Sequence, residues 1–158
     1  MKTYGFKDEL AKEMVEKIIA WQQQIEWNRL KKLARYAKSL NISVASHDDD
    51  SPDKVDQMLG YGIRISEFPV NLKAARRAKE RNIHVCVGAP NVVRGSSHGN
   101  NMKAIDAIKA GYADVLCSDY HPSTMLPVVC KLVAEGIDLP QAVRKISLNP
   151  AQALGIDA

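Results

Sequence analysis

Residues 7–40 contain neither glycine nor proline, and apolar side chains return at Leu10, Met14, Ile18, Ile25, Leu30, Leu33, Ala37 and Leu40. That spacing keeps one face of a helix apolar, so the stretch is predicted as one long helix or two. From Ile42 the pattern changes to short runs rich in Val and Ile, separated by amphipathic segments. Strands are predicted at 42–46, 63–66, 83–87 and 114–117, and helices at 52–59, 72–81, 101–110 and 124–134. Two short helices are predicted at 140–147 and 150–154. Between the third strand and its helix, residues 88–100 read as a loop longer than the usual βα connection.

Four strand–helix units in succession imply parallel strands joined by right-handed crossovers, because a parallel neighbour is reached only through such a connection. The class is therefore α/β. Both a closed (β/α)8 barrel of the TIM type and an open doubly wound sheet use this rhythm, and four units make half of a barrel. The division expected is an N-terminal helical segment at 1–41 and one partial-barrel domain at 42–158, holding the four βα units and the C-terminal helices.

Composition narrows the class without changing it. The chain has 158 residues, 46% hydrophobic and 25% charged, as one globular core requires. No run approaches the ~18 apolar residues of a membrane span, so a soluble, cytoplasmic protein with no membrane partner is expected. Net charge is +4, spread along helix faces without an aromatic-interleaved basic patch, which argues against a nucleic-acid partner. Cys86, Cys117 and Cys130 lack CxxC spacing and read as reduced core residues; Trp21 and Trp27 read as packing residues.

The candidate chemistry lies where the predicted strands end. His47 and Asp48 follow the first, Glu67 the second, Asn91, Arg94 and His98 the third, and Asp119, Tyr120 and His121 the fourth. In a (β/α) barrel the carboxyl ends of the strands hold the active site. An imidazole flanked by carboxylates is a common ligand set for a divalent metal. The competing structural role is also visible: Asp50-Ser51-Pro52-Asp53 is a good helix start, with Ser51 as N-cap and Pro52 in the first turn. Asp119 leaves an apolar run, where burial without a cation would be costly, and it equally suits a helix start before Pro122. Arg94, between glycines and ahead of a helix, suits phosphate oxygens or an exposed surface loop. His84 lies early in its strand, away from these ends.

The segments HDDDSP at 47–52, ISEFPVNLKAARRAKERNIHVCVGAPNVVRGSSHGN at 65–100 and LCSDYHP at 116–122 together carry a family resemblance. The chain resembles the amidohydrolase-superfamily enzymes of the carbon–phosphorus lyase pathway, the α-D-ribose 1-methylphosphonate 5-triphosphate diphosphatases. The resemblance implies the C-terminal half of a (β/α)8 barrel and a metal-dependent hydrolase releasing diphosphate from a phosphorylated ribose phosphonate. It implies zinc or manganese as cofactor, His47 and Asp119 as metal ligands, and Asp119 as the catalytic group handling the proton of the attacking water. Arg94 and His98 would face the phosphates, with Asn91, Glu67, Asp48 and Tyr120 as further substrate contacts.

The paired HxH of that superfamily is missing, since His47, His84, His98 and His121 are the only histidines and no two lie two apart. A half barrel completed by a partner half or by a second copy is therefore expected. The alternatives are a non-catalytic half-barrel that binds phosphorylated sugar, and a hydrolase of the same superfamily acting on C–N bonds.

Overall fold

The computed structural model describes residues 8–24, 26–97 and 101–157. Helices α1 (Asp8–Gln23) and α2 (Trp27–Ser39) precede strand β1 (Ala45–His47), helix α3 (Pro52–Gly60), β2 (Ile65–Glu67) and α4 (Leu72–Glu80). There follow β3 (His84–Gly88), α5 (Ala89–Arg94), α6 (Ala104–Lys109), β4 (Val115–Cys117) and α7 (Met125–Ala134), the last entered through a 3-10 turn at Pro122–Thr124. Helices α8 (Leu139–Arg144) and α9 (Leu148–Leu154) complete the series.

Of the two forms predicted for the stretch before the first strand, the structure has two helices, with a turn after α1 in which the Gln24 amide donates to the Trp21 carbonyl. One expectation is corrected here. The supposed loop after β3 contains the helix α5, with Pro90 in its first turn and Gly95 ending it in the left-handed region. A proline early in a helix forfeits only an amide that has no intrahelical partner, so it reads as a loop residue and acts as a helix starter.

The helices stop by one repeated device. After α2, α3, α4, α6 and α7 come Asn41, Gly62, Asn82, Gly111 and Gly136, all with positive φ. The next residue, Ile42, Ile63, Ile83, Tyr112 or Ile137, donates its amide back to a carbonyl in the last turn, such as Ile83 N to Ala78 O at 2.9 Å. Asn and Gly tolerate this conformation, and the apolar residue that follows is buried at Ile63 and Ile83 and exposed at Ile42. Ile42, Ile63 and Ile83 are the ones that began the first three predicted strands. The ladders start one to three residues later because the isoleucine amides belong to the helix ends.

All four strands are parallel and lie in the order β1-β2-β3-β4, with Ala45 opposite Ile65, Ile65 opposite His84, and Cys86 opposite Val115. A doubly wound sheet reverses direction at a switch point; this sheet is wound one way only, as in part of a TIM-type barrel. On one face Val85, Val87 and Leu116 pack against Ala74, Ala75 and Ala78 of α4 and Val128 and Leu132 of α7. Three alanines on α4 let its backbone approach the sheet closely. The opposite face carries a smaller cluster of Cys86, Val115 and Ala153, the last from α9.

The two edges differ. Beyond β4, Leu116 N donates to Lys145 O at 2.9 Å and Asn149 Nδ2 to Asp114 O at 2.7 Å, so the α8–α9 segment covers that side. Beyond β1 no further strand lies among the described residues, and Ala45 and His47 are exposed. Several apolar residues expected to pack do not: Trp21 is 72% exposed, and Leu10, Met14 and Ile18 of α1 are exposed as well. Trp27 does pack, stacking on Tyr61 at 6.0 Å. Of the cysteines, all free, Cys86 is buried, Cys117 half-buried and Cys130 exposed, so the expectation of a core position fails for Cys130. No helix among the described residues is long and apolar enough to cross a membrane.

Candidate functional site

Three strands end in a residue whose backbone most side chains avoid. Asp48 (φ 54°), Phe68 (φ 51°) and Asp119 (φ 50°) lie just beyond β1, β2 and β4 in the left-handed region. Such a conformation costs roughly 1–3 kcal/mol for a residue other than glycine and persists where surrounding bonds enforce it. Those bonds are present for two of them: Asp48 N donates to Glu67 O at 3.0 Å and Phe68 N to Cys86 O at 2.9 Å, one step past the ladder. All three line one cavity of about 200 Å³ at the carboxyl ends of the strands, together with Gly88, Asn91, Arg94 and Tyr120.

The left-handed turn at Asp48 sends successive carboxylates in opposite directions. Asp48 is exposed, with Oδ2 3.1 Å from His47 Nδ1. Asp49 is fully buried, and its Oδ2 accepts from Ser46 Oγ at 2.6 Å and Ser66 Oγ at 2.5 Å, tying the turn to both β1 and β2. Among the described residues its Oδ1 has no hydrogen-bond partner, and it lies 3.7 Å from Lys54 Nζ. That lysine donates to the carbonyls of His47 (3.0 Å) and Asp48 (2.9 Å), closing the turn from outside. The structural role read for the next residues also holds: Ser51 Oγ accepts from Lys54 N at 3.3 Å and Asp50 is exposed.

His47 itself is exposed. Its ring meets that of Phe68 edge-on, with centroids 5.3 Å apart and planes at 78°. With Nδ1 facing the Asp48 carboxylate, the neutral tautomer carries its proton on Nδ1 and leaves Nε2 as the acceptor. His47 and Glu67 sit opposite each other in the ladder, at one level of the sheet, and neither lines the cavity.

Asn91 and Arg94 project from α5. Asn91 Oδ1 accepts from Ala104 N at 3.0 Å and its Nδ2 donates to Met102 O at 3.4 Å, so this side chain clamps the start of α6, whose own N-cap Lys103 has no capping side-chain bond. Arg94 is exposed and donates from Nε and Nη2 to Ser96 O at 3.2 and 3.1 Å. Asp119 and Tyr120 are exposed, and the Tyr120 ring stacks at a tilt on His121, 4.6 Å away. The burial cost anticipated for Asp119 does not arise. His98 lies outside the described residues. His84 lies at the opposite end of its strand, with Nδ1 3.2 Å from Asp114 Oδ2.

The cavity therefore gathers Asp48, Asn91, Arg94, Asp119 and Tyr120, and leaves His47 and Glu67 beside it. Sequence reasoning missed Phe68, which lines the cavity, and Lys54, which closes the turn beside it. The Phe-Pro pair gives no signal for Phe68, since a residue before proline is steered toward extended backbone and not toward the left-handed φ found there. At the end of β4, the Cys117 thiol is pushed down by the Cys86 thiol donating to it, and Cys86 is pushed up by the same contact and by burial.

A divalent metal needs about three protein ligands for a catalytic site. Among the described residues no three His, Cys, Asp or Glu side chains come together in a way that could hold one. The described residues do not form a complete metal site.

Among curated proteins, the chain is 32% identical over 156 residues to the alpha-D-ribose 1-methylphosphonate 5-triphosphate diphosphatase of Escherichia coli strain K12, covering 97% of this chain and 41% of the relative. It is 26% identical over 203 aligned positions to a dihydroorotase of Geobacter sp. strain M21, covering 81% of this chain and 48% of the relative. No family model matches the chain, and no solved structure gives a significant match. The resemblance carried by the strand-end motifs is borne out: this chain is a relative of the diphosphatase, and it spans less than half the length of both proteins.

Proposed function

We propose that this chain supplies one flank of a hydrolase site of phosphonate metabolism, acting on α-D-ribose 1-methylphosphonate 5-triphosphate with release of diphosphate. The observation that carries this reading is the cavity in which Asp48 from the end of β1, Arg94 from the end of α5 and Asp119 from beyond β4 converge. The similarity to the diphosphatase supports the substrate.

In this reading the Arg94 guanidinium, anchored by the Ser96 carbonyl, binds phosphate oxygens and takes up charge on the departing diphosphate. The Asp119 carboxylate orients the attacking water and accepts its proton at a carboxylate oxygen. A cavity of about 200 Å³ holds only part of a triphosphorylated ribose, so the remainder extends past its mouth. The lining sets two carboxylates, Asp48 and Asp119, against one guanidinium, and a polyanion needs more positive charge than that. Zinc or manganese would bring such charge, with His47 and Asp119 as two of its ligands and the rest from polypeptide beyond the described residues. Such polypeptide, a complementary half-barrel or a second copy, would pair along the open edge of β1.

Phosphorus NMR of the triphosphate substrate tests the reading, with protein alone, with added zinc or manganese, and with a complementary half-barrel. Pyrophosphate released only in the presence of metal and the complementary half is the expected result; none under any condition rejects hydrolysis of this substrate. Calorimetric binding of the substrate without turnover, unchanged by metal, would instead establish the non-catalytic binder, which the lack of a three-ligand cluster among described residues favours. Turnover of dihydroorotate would point to C–N hydrolysis, which the similarity to a dihydroorotase favours.

A further inference from the structure

Phe68 combines three properties that no packing requirement explains together. Its φ is 51° although it is large and aromatic, its ring lies edge-on to His47 at 5.3 Å, and the same ring lines the cavity that His47 does not reach. On its other side stands Gly88, the last residue of β3. A Cβ built on Gly88 would come within 3.3 Å of Phe68 Cε1. Gly88 has φ −76° and ψ 127°, a conformation open to any residue, so its backbone gives no reason for glycine there. The reason available is room for the ring.

We infer that Phe68 is a positioning residue: its left-handed backbone holds the ring as a wall beside His47 at the edge of the cavity, and Gly88 is small to let that wall stand. His47 is then fixed by two contacts, the Asp48 carboxylate at Nδ1 and the Phe68 ring edge, with Nε2 free to face whatever occupies the open side of the strand ends. The ring also contributes to the cavity, which Phe68 lines together with Asp48, Pro90 and Arg94. This inference rests on His47 being part of the site, yet it makes a claim about coupling that holds whether or not the chain hydrolyses anything.

The claim is that a methyl group added at Gly88, on β3, is felt at His47, on β1, through the Phe68 ring. Carbon–proton correlation spectra of the histidine rings read this directly, with the His47 signals assigned by their loss in His47→Gln. Spectra are taken without substrate, so inactivity toward the triphosphate leaves the outcome intact. Gly88→Ala should shift the His47 Cδ2–Hδ2 and Cε1–Hε1 signals while leaving those of His84 in place. Phe68→Leu should move the His47 signals toward those of a histidine with no aromatic neighbour, and Phe68→Tyr should return them to the native positions. In the Gly88→Ala/Phe68→Leu double variant the alanine should add no further shift, since the group that transmits it is gone. Unmoved His47 signals in Gly88→Ala, or an alanine effect that persists without the ring, would overturn the inference. Should Phe68→Leu fail to fold, Gly88→Ala and Phe68→Tyr decide it on their own.

Discussion

Ser66 Oγ on β2 lies 2.5 Å from Oδ2 of Asp49, a carboxylate from the turn after β1 that is wholly shielded from solvent. With Ser46 Oγ on the same oxygen at 2.6 Å, the pair locks the turn carrying His47 and Asp48 to the body of the sheet. Asp49→Ala leaves two buried hydroxyls without their acceptor, and hydrogen bonds to a charged group are worth about 1.5–3 kcal/mol. The expected outcome is a loss of that size, read as a lower urea midpoint with an unchanged slope.

Asn91 acts as the cap that α6 lacks in its own sequence. Asn91→Ala should therefore cost roughly 0.5–2 kcal/mol, as removal of an N-cap does. Hydrogen exchange at the Ala104 amide checks it: protection there should fall well before protection in β3 does.

Arg94→Ala should weaken binding of the triphosphate by about 1.5–3 kcal/mol, one to two orders of magnitude, because one charge-assisted fork to phosphate is lost. A neutral riboside should be affected far less. Calorimetric titration of both ligands makes the comparison, and equal losses would remove Arg94 from the site.

Helices α3 and α4 are joined by Asp56, which accepts from Arg77 at 2.7 Å and Arg81 at 2.8 Å. The hydrogen bonds from these two guanidiniums lower its carboxyl from 3.8 to about 2. A depressed carboxylate contributes stability that is fully present above its unfolded value near 3.9 and is lost as pH falls toward its folded one. Stability should thus decline between about pH 4 and pH 2 in the native chain, and Arg77→Gln/Arg81→Gln should flatten the share of that decline owed to Asp56. Urea unfolding across this range gives the measurement.

Local chemistry wrote much of this architecture into the chain. Ser51 is an N-cap in the sequence and in the structure, Asn71 caps α4 in the same way, and Asn41, Gly62, Asn82, Gly111 and Gly136 end five helices with an apolar residue behind each. Both devices act within a turn or two of backbone, so residue type alone specifies them. The same locality explains the misplaced strand starts. Ile42, Ile63 and Ile83 look like strand residues by composition, but their amides are taken by the preceding helix.

What the sequence by itself determined is the α/β order, the helix stops, and the placing of candidate polar residues at strand ends. Tertiary structure alone decided which of those residues meet. Of three adjacent aspartates, Asp49 turns inward because the left-handed Asp48 rotates the chain and because Ser66, seventeen residues on, waits on the neighbouring strand. Asn91, a substrate candidate that lines the cavity, is also a clamp because Ala104 arrives beside it. Phe68 became a wall because β1 and β3 flank β2, setting His47 on one side of the ring and Gly88 on the other. Each outcome depends on a partner distant in sequence and brought near only by the order of the strands, and periodicity along a single chain does not encode that.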